Sequence, residues 1–161
     1  MAMQYDVKSE HLTAAGLAYD GRTRLKGAVM SPNTTAAKNA IFADNTPQNG
    51  TYDIPGSTVC TVTIANHGLA NGDRIWVDFT SGSGTTDNVY TVANAATNTF
   101  TITTASLTTS GNVTVYGDVL MEVDCYNPTS FNVIIPGEGI LANNGIYVGI
   151  PANVTATVFY G

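Results

Sequence analysis

The sequence predicts an all-β protein made of antiparallel strands. Threonine and valine recur with apolar residues at a period of two along much of the chain, which is the pattern of half-buried strands. Clusters of Gly, Asn, Ser and Pro separate these runs at a spacing of roughly 8–12 residues, as in antiparallel all-β domains. No stretch of helical length shows an apolar period of 3.6 residues.

The predicted strands fall into three groups along the chain. Two early strands are predicted at residues 22–31 and 39–45. A middle group is predicted at residues 58–66, 73–80, 88–94, 98–105 and 112–117. A late group is predicted at residues 119–126, 130–136, 145–150 and 154–161.

Residues 55–117 differ in amino-acid composition from the segments on either side. They are almost free of long charged side chains and are rich in Thr, Asn, Ser and Gly, and turn signals at 53–58 and 115–119 bound them. We therefore expect residues 1–54 together with 118–161 to form an antiparallel β-sandwich of the jelly-roll or immunoglobulin-like kind. Residues 55–117 are expected to form an inserted, projecting small β module.

The charge of the chain argues against two classes of partner. The formal net charge is −6, and Arg74 is the only basic residue after residue 38. Because clustered cations are absent, we expect no binding to nucleic acid. No apolar run approaches the ~18 residues of a membrane span, and no signal-peptide pattern opens the chain. A soluble protein without a membrane partner is therefore expected.

The stretch NHGLANGDRIWVDFT, residues 66–80, gathers a histidine, two aspartates and an arginine around two glycines. A zinc site would need three or four convergent His, Cys or acidic ligands, and the only histidines, His11 and His67, share no motif. The tripeptide NGD favours a hairpin turn in which Asp73 accepts backbone N–H groups. We expect His67 to order this loop, and we expect no metal site, no cofactor and no catalytic residue.

Other reactive side chains also have structural interpretations. Glu122 and Asp124 lie two residues apart on one strand face, so they cannot oppose each other across a glycosidase cleft, and we expect them to face solvent. Cys60 and Cys125 belong to no CxxC motif and have no basic neighbour. Burial as small apolar residues is the main expectation for both thiols, and a disulfide between them stays open.

Basic residues alternate along the first predicted strand. Arg22, Arg24 and Lys26 share one strand face. Such a face is either solvated, which discourages edge pairing, or pairs with the acidic later segments of the chain. A docking surface for an acidic partner is the alternative.

Two patterns in the sequence resemble proteins of phage virions. The segments GRTRLKGAVMSPNTTAAKNAIFADN (21–45) and IIPGEGILANNGIYVGIPANVTATVFYG (134–161) resemble small virion proteins of marine and cyanobacterial tailed phages, in which a PGEGI turn precedes a final hairpin. The segment VTIANHGLANGDRIWVDFTSGSGTTDNVYTVANAATNTFTITTA (62–105) resembles a β module that recurs in phage tail and fibre proteins. In the first family the FADN region closes directly into the PGEGI strands, which implies that the module is an insertion.

The resemblance implies a non-enzymatic virion protein, made in the host cytoplasm and located on the particle surface. Small size and the lack of shaft repeats favour capsid decoration, with the major capsid protein as partner; a tail or tail-fibre component that binds tail proteins is the alternative. A homotrimer is expected by analogy with other small phage β proteins. The candidate interface residues are Arg22, Arg24, Lys26, Tyr147, Phe159 and Tyr160. For the last three, ordinary core and edge packing is the main expectation, and burial of the C-terminal strand in a subunit interface is the alternative.

A carbohydrate-binding module is the hypothesis from a different functional class. Such a module needs exposed aromatic side chains flanked by polar residues, and Trp76, Tyr90 and Tyr116 are the glycan-contact residues it would use. Their period-two placement also allows them to face the core, so the sequence does not choose between these positions.

Overall fold

A computed structural model describes residues 7–44, 47–126 and 128–161. Within these ranges the chain forms twelve strands and no helix, so the all-β prediction is confirmed. The predicted segments also contain residues 1–6, 45–46 and 127, which lie outside the described residues. The strands are β1 (Lys8–Leu12), β2 (Gly16–Asp20), β3 (Thr23–Pro32), β4 (Lys38–Asp44), β5 (Gln48–Thr63), β6 (Arg74–Asp78), β7 (Asn88–Thr91), β8 (Thr99–Cys125), β9 (Phe131–Ile134), β10 (Ile140–Ala142), β11 (Gly145–Gly149) and β12 (Val154–Tyr160).

The chain divides into two compact units, each with its own hydrophobic core. The sandwich unit comprises Met1–Thr46 and Leu120–Gly161, and the inserted unit comprises Pro47–Val119. The sequence placed the first boundary eight residues later, after residue 54. It falls earlier in the structure because β5 begins at Gln48 and pairs with β8 from that residue onwards. These ladder hydrogen bonds join residues 48–54 to the inserted unit.

The sandwich unit consists of two antiparallel sheets that pack face to face. Sheet A has the order β1–β12–β3, and both β9 and β10 pair with the remaining edge of β3. Sheet B contains β2, β11 and β4 in that order, followed by residues 120–125 of β8. Alternate side chains of each strand point inward, so apolar residues of both sheets form one core. Its largest members include Leu25 and Met30 from sheet A and Phe42 and Ile146 from sheet B.

The inserted unit is built on the long pairing of β5 with β8. β6 pairs with residues 114–118 of β8, and β7 pairs with β6. A bridge between Ala93 and Thr101 then joins the chain after β7 to the start of β8, so the sheet curls around its own core. That core contains Val62, Ile75 and Phe100 among its buried side chains.

Three predicted strands, at 98–105, 112–117 and 119–126, are in fact one strand, β8. The predicted turn at 53–58 likewise lies inside β5, although Gly56 there adopts a φ of 77° and the register shifts on both sides of Ser57. These Thr-, Ser- and Gly-rich segments stay extended because they pair with each other, for example Ile54 with Thr109. Cross-strand pairing outweighs local turn preference here.

Two N-terminal strands were absent from the prediction. β1 is exposed along almost its whole length and has no alternating apolar pattern. It forms because its backbone pairs with β12 over five residue pairs, from Lys8 with Tyr160 to Leu12 with Ala156. Such a strand depends on its partner rather than on its own side chains.

Candidate functional site

The loop between β5 and β6 contains His67, and the structure assigns both of its ring nitrogens to hydrogen bonds. The backbone N–H of Leu69 donates to Nδ1 at 3.0 Å, so Nε2 carries the proton and donates to the carbonyl of Thr99 at 3.3 Å. The ring is 5% exposed and packs edge-on against Phe100 at a centroid distance of 5.0 Å. His67 therefore orders the loop.

The same loop ends in the NGD turn that the sequence predicted. Asp73 Oδ2 accepts the backbone N–H of Ala70 at 2.7 Å, and Gly72 adopts a φ of 97°. Within the described residues no group of three or more His, Cys, Asp or Glu side chains is arranged to hold a metal ion.

The basic residues of β3 contact the PGEGI turn of their own chain. Arg24 Nη2 lies 3.3 Å from Glu138 Oε2, and Lys26 Nζ donates to the carbonyl of Glu138 at 2.7 Å. Gly139 completes this turn with a φ of 82°, and a Cβ on it would clash with the carbonyl oxygen of Leu25. Two of the three predicted basic residues thus hold the edge of sheet A, where the turn separates β9 from β10.

The other predicted interface residues do not all lie on one surface. Arg22 lies exposed between β2 and β3. Phe159 is half-buried on the outer face of sheet A, because its neighbours Val158 and Tyr160 belong to the core. Tyr147 occupies the outer face of sheet B by the same alternation, and burial raises the pKa of its hydroxyl.

The three aromatic residues proposed to contact a glycan lie on two different faces of the inserted unit. Trp76 pairs across strands with Tyr116, and both lie on the side opposite the core residues Ile75 and Val77. Tyr90 pairs with Ile75 and so packs on the core side. Its hydroxyl donates to the carbonyl of Thr86 at 2.6 Å.

Polar groups surround the cross-strand pair of Trp76 and Tyr116. Thr114, the register partner of Asp78, donates from its hydroxyl to Oδ1 of Asn49 at 2.9 Å. The strand alternation places Asp78 on the same outer face as Trp76. Burial raises the pKa of the Asp78 carboxyl, and the negative charge of Asp87 raises it further.

The remaining acidic residues and thiols that the sequence singled out are either exposed on a strand face or buried in a core. Glu122 is exposed and accepts a hydrogen bond from the side chain of Asn39 at 2.7 Å, and Asp124 is exposed on the same strand face. Cys60 and Cys125 are both free and buried, each in the core of a different unit. Burial, together with the charge of Asp53, raises the pKa of Cys60 to about 11.

A cavity of about 500 Å³ in the sandwich unit was not predicted from the sequence. Three cationic side chains, Lys8, Arg22 and Arg24, line it together with the rings of Tyr19 and Tyr160. The sequence singled out Arg22, Arg24 and Tyr160 but carries no signal for Lys8 or Tyr19. These residues meet only because β1 pairs with the end of β12 and because β2 turns into β3 beside it.

A comparison of the chain with protein-family models, curated proteins and solved structures finds no match. Among the described residues, no helix is long and apolar enough to cross a membrane.

Proposed function

We propose that this protein is a non-enzymatic structural component of a tailed-phage virion, bound to the outside of the head shell as a decoration protein. The observation that carries the proposal is the interruption of a β-sandwich, Met1–Thr46 with Leu120–Gly161, by a continuous unit that has a core of its own. An insertion of this kind lets one unit attach to a particle while the other presents a separate surface.

The two motifs that resemble phage virion proteins have clear structural roles in the chain. The PGEGI turn interrupts the edge of sheet A and is held by Arg24 and Lys26. The HGLANGD segment forms the loop that His67 orders. Each motif therefore stabilises the fold of its own unit. Such a structural role is what we expect of a motif in a non-enzymatic structural protein.

Antiparallel sheets with short or interrupted edges suit a protein used in many copies. An edge strand presents unpaired backbone groups, which neighbouring subunits can cover in an assembly. In the sandwich unit β1 and the β9–β10 edge terminate sheet A. In the proposal these edges and the exposed Arg22 face the shell or adjacent copies, and a homotrimer is the assembly proposed.

Co-sedimentation tests the decoration role. Purified protein is mixed at moderate salt with head shells of the encoding phage, stripped of accessory proteins, and separately with isolated tails. Saturable binding to shells supports decoration, and the amount bound at saturation gives the copy number. Binding to tails alone would assign the protein to the tail or a tail fibre. Binding to neither would overturn the virion role.

Glycan binding by the inserted unit is a second candidate function. The outer-face pair of Trp76 and Tyr116, with Asp78, Thr114 and Asn49 close by, is the observation that favours it. Aromatic faces flanked by polar groups suit the apolar and hydroxyl-bearing faces of sugars. A glycan array probes this directly.

The matched variants for the array are Trp76→Ala and Tyr90→Phe. If the outer face binds sugar, Trp76→Ala abolishes binding while the variant remains folded by circular dichroism. Tyr90→Phe retains it, because that ring lies on the core side. Absence of binding to every glycan at millimolar sugar would remove this candidate.

A further inference from the structure

A cavity of about 300 Å³ in the inserted unit has an uncharged lining. It lies between the loop that joins β6 to β7 and the middle of β8, and its nine lining residues are all Gly, Thr, Asn, Tyr, Ala or Leu. The structure describes this unit without a gap, from Pro47 to Val119. Since no cation among these residues lines the cavity, its lining favours a neutral ligand over an anionic one.

The cavity lies beside a bulge in β8. Ser57 pairs with Leu107 and Val59 pairs with Thr103, so one residue of β5 lies opposite three residues of β8. Bulges redirect the side chains of the strand that contains them. Three consecutive residues, 103–105, line the cavity, whereas in a regular strand the middle side chain would point to the opposite face. The bulge therefore shapes one wall of the cavity.

The opposite wall is a loop that is held in place by contacts with its own unit. The hydroxyl of Tyr90 donates to the backbone carbonyl of Thr86 at 2.6 Å. Gly84 adopts a φ of 78°, and a Cβ on it would lie 3.1 Å from the side chain of Leu107 in β8. A wall fixed in this way reduces the entropy that binding of a ligand would cost.

Hydroxyl and amide groups of the lining are able to bind a ligand. Asn88 Oδ1 accepts the backbone N–H of Val89 at 2.8 Å, which leaves the side-chain NH₂ group as a donor. The hydroxyl of Thr104 donates to the carbonyl of Ala105 at 3.1 Å and can still accept. Three further hydroxyls of the lining have no hydrogen-bond partner among the described residues, those of Thr85, Thr86 and Thr103.

Apolar surface completes the lining. Tyr90 and Leu107 both pack against the core of the inserted unit and both line the cavity. Burial raises the pKa of the Tyr90 hydroxyl, so this group is uncharged at pH 7. A pyranose ring combines apolar C–H faces with several hydroxyl groups, which matches a lining of this composition. The volume is at the lower end of the range for small-molecule sites, which limits the bound part to about one ring.

We propose that this cavity binds one pyranose unit of a neutral glycan. The C–H face of the sugar packs against Tyr90 and Leu107, and its hydroxyls exchange hydrogen bonds with Asn88 and with the threonine hydroxyls of the loop and of β8. The site is distinct from the outer-face pair of Trp76 and Tyr116, because Tyr90 lies on the core side. It does not rest on the virion role, because sugar binding requires no phage shell.

Amide NMR of the full-length protein during titration with methyl glycosides tests the site. The probes are the methyl α- and β-pyranosides of glucose, galactose, mannose and N-acetylglucosamine, each raised into the millimolar range. We expect saturable shifts at Thr86, Thr104 and Leu107, which line the cavity, with at least one probe, and none at Trp76 or Thr114.

Two small molecules are the controls for ligand chemistry. Cyclohexanol has a ring of the same size with a single hydroxyl, and methyl β-D-glucuronide is a sugar with a negative charge. Both are expected to bind about tenfold more weakly than the best neutral glycoside. The first lacks most of the hydrogen bonds, and the second must bury a charge that no cation of the lining pairs with.

A pair of double variants localises the binding. Thr103→Val with Thr104→Val removes two hydroxyls from the cavity and keeps the β-branched shape, so we expect the affinity to fall about tenfold. Thr61→Val with Thr63→Val makes the same change on β5, outside the cavity, and should bind like the wild type. Ala105→Phe, at an exposed position of the lining, fills the cavity and should abolish binding. Circular dichroism checks that each variant is folded.

Several results would overturn the proposal. These are equal weakening by both double variants, unchanged binding by Ala105→Phe, no saturable shift with any neutral glycoside, and binding of either control molecule as tightly as the sugars. Shifts confined to Trp76 and Thr114 would assign sugar binding to the outer face and refute the cavity site. Failure of shell co-sedimentation would leave the NMR result intact, so the two hypotheses are separable.

Discussion

At the scale of single residues, Asp44 is the clearest example of a polar side chain fixed by the fold. It is 7% exposed at the end of β4, and its carboxylate accepts the backbone N–H groups of Asn143, Asn144 and Gly145 at 2.7, 2.7 and 3.2 Å. These donors belong to the turn between β10 and β11, about 100 residues further along the chain. One buried charge thus joins that turn to β4, and its burial is offset by three hydrogen bonds.

Replacing Asp44 is expected to destabilise the sandwich unit. Asp44→Ala leaves three backbone donors without their acceptor and should lower the free energy of unfolding by about 2–4 kcal/mol. Asp44→Asn keeps one acceptor oxygen and should cost less. Urea denaturation followed by circular dichroism measures both, and equal stability of Asp44→Ala and wild type would refute this role.

Asp78, unlike Asp44, destabilises the folded protein when its carboxyl group is ionised. Burial, and then repulsion from Asp87, raises its carboxyl pKa above the ordinary value of 3.8. The folded protein therefore binds this proton more tightly than the unfolded chain does. As pH rises from 3.8 through the raised pKa, the group ionises in an unfavourable place and the free energy of unfolding decreases.

Asp78→Asn should accordingly stabilise the protein at pH 7 and have little effect near pH 3, where the carboxyl is protonated in both states. Denaturation midpoints measured across this range test the sign. Asp124→Asn removes one negative charge at an exposed position and is the control for that loss of charge. If Asp78→Asn raised the free energy of unfolding as much at pH 3 as at pH 7, ionisation of Asp78 would not be the cause of the destabilisation.

At the scale of elements, the PGEGI turn shows how two glycines in one motif have different requirements. Gly137 and Gly139 both adopt positive φ, 70° and 82°. A Cβ at Gly137 would meet open space, whereas a Cβ at Gly139 would meet the backbone carbonyl of Leu25. The first glycine is needed for its conformation alone, and the second also for close approach of two backbones.

Alanine substitution separates these two requirements. Gly137→Ala should cost about 1 kcal/mol of unfolding free energy, the usual penalty for positive φ. Gly139→Ala should cost roughly twice that or more, because β10 must also move away from β3. Thermal or urea denaturation compares the two variants. A smaller loss for Gly139→Ala than for Gly137→Ala would refute the close-approach explanation.

The turn was predictable from the sequence, while the strand that crosses both units was not. Glycines and a proline in five residues mark a turn by local conformational preference alone. β8 runs through Thr108, Ser110 and Gly111, whose local preferences favour a break. It continues because β5 pairs with it across that segment. The paired residues of this segment are 53 to 59 positions apart in the sequence, so the preferences of neighbouring residues do not predict the pairing.

At the scale of the whole molecule, each unit carries one buried thiol in its own core. Cys60 lies in the inserted unit and Cys125 in the sandwich unit, and both are free. Burial and Asp53 raise the pKa of Cys60 to about 11. Burial raises that of Cys125, with a backbone hydrogen bond from Ala40 partly opposing the shift. The two side chains are therefore independent reporters of opening in the two units.

Thiol labelling at pH 8 should be slow in the folded protein and fast after unfolding. At a pKa of about 11 only roughly one Cys60 thiol in a thousand is ionised at that pH, and burial also blocks access. Cys125→Ala leaves a reporter of the inserted unit, and Cys60→Ala leaves one of the sandwich unit. Rapid labelling of either variant without denaturant would contradict burial of that thiol, and a urea-unfolded sample provides the fully reactive control.

The division into two units was partly contained in the sequence. The change of composition after residue 54 marked an inserted segment, but the structure begins it at Pro47. Residues 48–54, which lie between these two positions, belong to β5. Hydrogen bonding to β8 decides their membership.

The sequence by itself determined the all-β class, the NGD and PGEGI turns and the structural role of His67, because these follow from periodicity and conformational preference over a few residues. Only the tertiary structure decided that Trp76 and Tyr116 share a face without Tyr90, and that Lys8 and Tyr19 join Arg22 at one cavity. Period-two alternation gives two faces but does not say which one is buried. Strand order and register make that choice, and both are set by contacts between residues far apart in the chain.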